Sequence, residues 1–148
     1  MQLTNLERVE RKSFSEMHCS VAQCLEVVGE WWSLLIVRDA FDGSRRFGEF
    51  QRSLGVAKNI LSARLRALVE NGILEQVPSG YELTAKGEAL FPVIVALRQW
   101  GEAFAFAPGE PHSQLLDRRD QRPLKPLEVH AADGRLLAPA DTEVHKVT

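Results

Sequence analysis

Lys58 to Leu74 reads KNILSARLRALVENGIL. At helical spacing Leu61, Leu65, Leu68 and Val69 fall on one side of this stretch, and Asn59, Ser62, Ala63 and Arg66 on the other. The apolar side must be buried, so the chain has to fold around this helix. Its outer side is unusual, because solvated helix faces ordinarily carry Glu and Lys. Short, polar and partly basic side chains there allow another molecule to come close.

The flanking sequence supplies a core for that helix. From Ser20 to about Glu30 the positions of Val21, Leu25, Val28 and Gly29 predict a short amphipathic helix. Trp31, Trp32, Leu34, Leu35, Ile36 and Val37 continue into a second, mostly buried one that Gly43 stops. A third short helix follows from Arg46 to Leu54, with Phe47, Phe50 and Leu54 on one face, and Gly55 breaks it. The Lys58–Glu70 helix comes next and ends at Asn71-Gly72, where a left-handed residue is wanted. Two helices joined by a tight turn, the second with a small polar outer face, form a helix-turn-helix.

Beyond it, Ile73 to Val77 and Tyr81 to Leu83 alternate like strands around a Pro78-Ser79-Gly80 turn, and so predict a hairpin wing. Thr84 is expected to cap a long helix running to about Phe106, bent by Pro92. Leu90, Val93, Ile94, Leu97, Trp100 and Phe104 give it an apolar stripe. We expect its first turns on the wing and its later turns, with Val93, Leu97, Trp100 and Phe104, in a dimer seam. After Pro108 to Pro111 the character changes: residues 107–148 hold six basic and seven acidic residues, with turns near Asp120-Gln121 and Asp133-Gly134. Small strands or hairpins packed on the domain are expected there, and a basic DNA arm is not.

The fold class is thus mainly α with a small β-hairpin wing: a winged helix-turn-helix with a long C-terminal dimerisation helix and a short β-rich tail. Three regions are expected, an N-terminal arm over residues 1–19, a DNA-binding and dimerisation domain over 20–106, and an extension over 107–148. The 148 residues suit one such domain with an appendage. No apolar run reaches membrane-span length and the N-terminus does not read as a signal peptide, so a cytoplasmic location and no membrane partner are expected. Two cysteines, Cys19 and Cys24, are too few for a disulfide framework and lack zinc-site spacing. His18 finds no partners at ligand spacing, so neither metal nor cofactor is expected. No acid/base pair or nucleophile constellation points to an enzyme.

A net charge of −2 decides nothing about partners, but its distribution does. Between Ser44 and Gly80 six basic residues (Arg45, Arg46, Arg52, Lys58, Arg64 and Arg66) face three acidic ones (Glu49, Glu70 and Glu75). A polyanion can dock on such a segment without the whole protein being basic.

Several elements in order now carry a family resemblance: Cys19 before the first core helix, the Gly29-Glu30-Trp31-Trp32 box, Arg46-Phe47-Gly48-Glu49-Phe50, Leu61-Ser62-Ala63-Arg64-Leu65, and Tyr81-Glu82-Leu83-Thr84 followed by Gly87. From Cys19 to Phe104 the chain resembles the HxlR family of bacterial winged helix-turn-helix regulators, relatives of the MarR group. The resemblance implies a homodimeric repressor or activator binding a double-stranded DNA operator. With the Lys58–Glu70 helix in a major groove, Asn59 and Ser62 are the expected base readers, and Ala63 permits close approach or touches a thymine methyl. Arg66 reaches a guanine or a flanking phosphate. Lys58 sits at the groove end of the helix, Arg45 and Arg46 are expected phosphate clamps, and Arg64 is expected nearer the flank as an ion-pair partner. The wing, Glu75 to Tyr81, carries no Lys or Arg and departs from winged helices that place an arginine in the minor groove.

Cys19 precedes Ser20, a good N-cap, so the helix dipole favours its thiolate. Some HxlR-like regulators sense reactive species at the matching position, which implies an electrophile or oxidant as effector; the alternative is a structural thiol. Cys24 is expected to be a small core residue. Trp31 and Trp32 either pack in the core or line a pocket for an aromatic effector. The competing functional reading is a winged-helix module that binds protein or a small ligand and has no specific DNA site.

Overall fold

The computed structural model describes residues 13–147, so most of the expected N-terminal arm lies outside the described residues. The elements run α1 (Ser20–Val28), α2 (Ser33–Phe41), α3 (Phe47–Leu54), α4 (Lys58–Glu70), β1 (Leu74–Val77), β2 (Gly80–Leu83), α5 (Ala85–Glu88) and α6 (Phe91–Phe104). This is the winged helix-turn-helix anticipated from periodicity. β1 and β2 form a two-stranded antiparallel sheet with Leu74 opposite Leu83 and Val77 opposite Gly80.

One core organises these elements. Ile36 and Val37 of α2, Phe50 of α3, Leu61, Leu65 and Leu68 of α4, Leu74 of β1 and Ile94 of α6 form a single buried cluster. The apolar face of α4 is inside as its spacing requires, while Lys58, Asn59, Ser62, Ala63 and Arg66 are all exposed. Gly55 (φ 65°) and Gly72 (φ 73°) take the left-handed conformations that end α3 and α4.

The wing is held against the helix-turn-helix by its backbone. Tyr81 N donates to Arg45 O at 2.7 Å, and the Tyr81 ring meets Phe50 edge-on at 6.4 Å. Gly80 (φ 132°) makes that approach possible, since a Cβ there would stand 2.1 Å from Arg45 O. At the other end of the hairpin Thr84 accepts from Gly87 N at 3.0 Å, its own N–H donates to Ile73 O at 3.1 Å, and its hydroxyl donates to Gly72 O. It therefore caps the next helix and ties it to the end of α4.

Three expectations need correction. The single long helix from Thr84 is two helices, α5 and α6, broken at Ala89 and Leu90. Pro92 is the cause: with no N–H and a ring that would strike the preceding turn, it is tolerated in the first turn of α6 and not in the interior of a continuous helix. The short α5 contacts the wing, whereas α6 packs on α2, where the Phe41 and Phe91 rings meet edge-on at 5.4 Å. Cys24 is exposed and so is not a core residue, because α1 turns its Ala22 and Val28 inward instead. Trp31 is 78% exposed, and only Trp32 of the pair packs against the core.

The extension is less regular than expected. Its turns occur where the sequence put them, with Gln121 (φ 59°) and Gly134 (φ 93°) left-handed, but the pairing around them shrinks to single bridges, Leu116 with Pro123 and His130 with Leu136. A 3-10 turn at Pro139–Asp141 follows. No single helix among the described residues is long and apolar enough to cross a membrane.

Candidate nucleic-acid interface

The outer face of α4 is built by elimination: its leucines take the core, so the residues between them face outward. Ala57 leads into the helix with extended backbone (ψ 144°) and no side-chain cap, which leaves the first-turn amides of α4 without a side-chain acceptor. Asn59, Ser62, Ala63 and Arg66 lie on the exposed surface beyond them. Ile60, 41% exposed, flanks that surface and was not singled out by the spacing.

The basic residues divide by what they already hold. Arg46, Lys58 and Arg66 are exposed and form no ion pair among the described residues. Arg45 is different. Its Nη1 donates to Ala40 O at 2.9 Å and Ser44 O at 2.8 Å, closing the C-terminal end of α2. The guanidinium expected to clamp phosphate is thus engaged in holding the turn before α3, because α2 ends there with carbonyls that need donors. Arg64, half-exposed, lies 3.9 Å from Glu30 Oε2, and the same oxygen accepts from Trp32 N at 2.9 Å. The acidic residue of the Gly29-Glu30-Trp31-Trp32 box therefore starts α2 and steadies α4.

Glu49 performs the matching task for α3. Its Oε1 accepts from Arg46 N at 3.0 Å and Arg45 N at 3.4 Å, half of a capping box, since an arginine at the cap has no acceptor to return. These two backbone donors, Arg46 first, together with the charge of Arg52, hold its carboxyl below the usual range. Asp39 is a further buried carboxylate: Oδ1 accepts from Arg38 Nη2 at 2.9 Å, and Oδ2 has no partner among the described residues.

Cys19 is exposed and is itself the N-cap residue of α1, one position earlier than the serine expected there. Residues 13–18 are tied down beside it. Glu26 accepts from Ser13 Oγ and Phe14 N at 3.0 and 2.8 Å, and Gln23 Nε2 lies 2.8 Å from both Ser15 O and Met17 O. An open concavity results, lined by Met17, His18, Cys19 and Gln23. Val93, Leu97, Trp100 and Phe104 all lie on the outer side of α6, with Trp100 66% and Phe104 72% exposed and their rings 5.3 Å apart. Leu90 and Ile94, grouped with them by spacing, turn toward the core instead.

The geometry places a helix-turn-helix with an open second helix beside a hairpin wing, and a family model for the HxlR-like helix-turn-helix matches residues 27–107. The chain belongs to the HxlR-like family. An uncharacterized HTH-type transcriptional regulator of Mycobacterium tuberculosis (strain ATCC 25618 / H37Rv) is 47% identical to this HxlR-like chain over 103 residues, 65% of each. The chain thus spans about two thirds of the length of that curated relative. Among solved structures, PA1607, a candidate transcription factor, superposes with a TM-score of 0.87 at 54% identity, covering 90% of this chain and 99% of its own. Quinone-bound YodB from B. subtilis superposes with a TM-score of 0.53 at 30% identity, covering 57% of this chain and 97% of its own. The first match leaves too few residues uncovered to omit the extension.

Proposed function

We propose that this HxlR-like chain is a homodimeric transcription regulator that binds double-stranded operator DNA sequence-specifically, with α4 in the major groove. The observation that carries the reading is the exposed face of α4, which is small, polar and partly basic over a helix whose other face buries Leu61, Leu65 and Leu68. Asn59 and Ser62 read base edges, Ala63 allows close approach, and Arg66 reaches a guanine or a phosphate. Arg46 and Lys58 set the register on phosphates. Arg45 contributes through its grip on the end of α2. Two-fold pairing through the outer side of α6 presents two copies of α4 about 34 Å apart, one turn of B-DNA, and so favours a roughly palindromic operator. With Arg46, Lys58 and, where it does not read a guanine, Arg66 on phosphates, about two to three basic groups per subunit, the log-log salt slope of the dimer is roughly −4 to −5.

Cys19 is the proposed effector site. Its exposure at the start of α1 and the quinone-bound state of YodB support a thiol that adds to an electrophilic carbon or is oxidised. In addition to a quinone the C–S bond forms at a ring carbon, and the ring takes up the thiol proton. Protection of the DNA upstream of the protein's own and neighbouring genes tests the whole reading. The expected result is a palindromic footprint that Arg66→Ala weakens and a quinone releases from wild type but not from Cys19→Ser. A second reading, a protein- or ligand-binding winged helix, draws on the uncharged wing; absence of any salt-sensitive specific site on DNA would favour it.

A further inference from the structure

We propose that Ile60 is a specificity-determining residue of α4: it packs against the C5-methyl group of a thymine in the major groove, so each operator half-site carries a thymine there. The inference rests on the placement of α4 on DNA and names a base which that placement leaves open. Ile60 and Ser62 bracket the fully buried Leu61, and each stands about 100° round the helix from it. They are therefore the two edges of the outer face, with Asn59, Ala63 and Arg66 between them.

The two edges differ in chemistry. Ser62 can hydrogen-bond, whereas Ile60 is 41% exposed and purely aliphatic, followed along the helix by the small Ala63 and Ala67. Arg64, one turn beyond Ile60 at the same edge, is occupied: its Nε lies 3.9 Å from Glu30 Oε2. An aliphatic side chain open to water gains free energy where the surface that meets it is apolar. It cannot pair with a phosphate, and the apolar group that base edges display in the major groove is the thymine methyl. Base contacts come from the N-terminal residues of a recognition helix, and Ile60 is the third residue of α4. Asn59 beside it suits adenine N6 and N7, so the first turn of α4 favours A·T pairs by two different groups.

The test uses the full chain and the operator defined by its own footprint. Each thymine of the half-sites is replaced symmetrically by deoxyuridine, which removes the methyl and keeps the hydrogen-bonding groups of the base pair. Wild type and Ile60→Ala are titrated on every duplex at one salt concentration. At one thymine position wild type is expected to lose about fourfold in affinity per methyl, and so about tenfold or more for the symmetric pair. Ile60→Ala, a change to a good helix former, is expected to bind the parent operator more weakly by a similar factor and to be indifferent to the same deoxyuridine. The wild-type arm needs no variant: if deoxyuridine weakens its binding at no position, the inference is overturned. A loss that Ile60→Ala keeps in full overturns it too, since another side chain then reads the methyl. Wild type without preference for the operator over a scrambled duplex defeats the DNA reading itself, and the inference with it.

Discussion

α4 and α6 are both half-buried helices, and they differ in what the other half carries. The outer side of α4 holds Asn59, Ser62, Ala63 and Arg66, whereas that of α6 holds Val93, Leu97, Trp100 and Phe104. The buried halves are alike in chemistry, Leu61, Leu65 and Leu68 of α4 and Ile94 of α6 sharing one core. The outer halves are not: one suits a polar, anionic surface approached closely, the other an apolar surface that excludes water. A helix's inner face states how the domain folds, and its outer face states what the domain meets.

The contrast can be broken first on the inner side. Leu65→Ala removes a fully buried side chain from α4 and is expected to cost about 2–5 kcal/mol of stability, measured by denaturant unfolding. On the outer side of α6, Trp100→Ala is expected to leave the subunit's helix content unchanged and to weaken dimerisation by about 2 kcal/mol, read by sedimentation equilibrium. On the outer side of α4, Arg66→Ala is expected to move stability by no more than about 0.5 kcal/mol while costing about 1–3 kcal/mol in operator affinity. Equal effects of the three variants on unfolding would erase the distinction between faces.

The smallest effect concerns how α3 is positioned. Glu49 has its carboxyl lowered in the folded chain by the Arg46 and Arg45 amides, so its contribution is fully present above its ordinary value of 4.5 and is lost as pH falls through the lower folded value. Glu49→Gln is therefore expected to be less stable than wild type at neutral pH, with the gap closing in acid. A pH series of thermal unfolding curves reads this directly. A gap that widens below pH 4.5 contradicts the capping role.

Much of this was legible in the sequence because it depends on periodicity and on local steric rules. The α4 leucines, the stops at Gly55 and Gly72 and the hairpin turn each follow from residues a few positions apart. What escaped depends on contacts that span elements. Arg45 reads as a free cation until its guanidinium meets the carbonyls at the end of α2. Cys24 reads as core by residue type, but α1 offers the core only a narrow side, and Trp31 stands exposed in the turn between α1 and α2. Spacing grouped Leu90 and Ile94 with Val93, Leu97, Trp100 and Phe104, and only packing on α2 separates the inner side chains from the outer ones. The break between α5 and α6 was readable at Pro92, which belongs in a first turn more readily than in a helix interior.

The extension shows the same limit. Its turns announce themselves through Gln121 and Gly134, while its pairing, reduced to single bridges, follows no periodic pattern. The match to PA1607, which covers 90% of the chain, takes in most of it.

The most direct test is a salt titration of wild type and Arg66→Ala on DNA from upstream of the protein's own gene, against a scrambled duplex of equal length. The expected result is specific binding by wild type with a log-log slope of roughly −4 to −5, and operator binding by Arg66→Ala weakened by about 1–3 kcal/mol. Equal affinity of wild type for both duplexes across the salt range, or an Arg66→Ala variant that binds the operator as tightly as wild type, contradicts the assignment of the outer face of α4 to DNA.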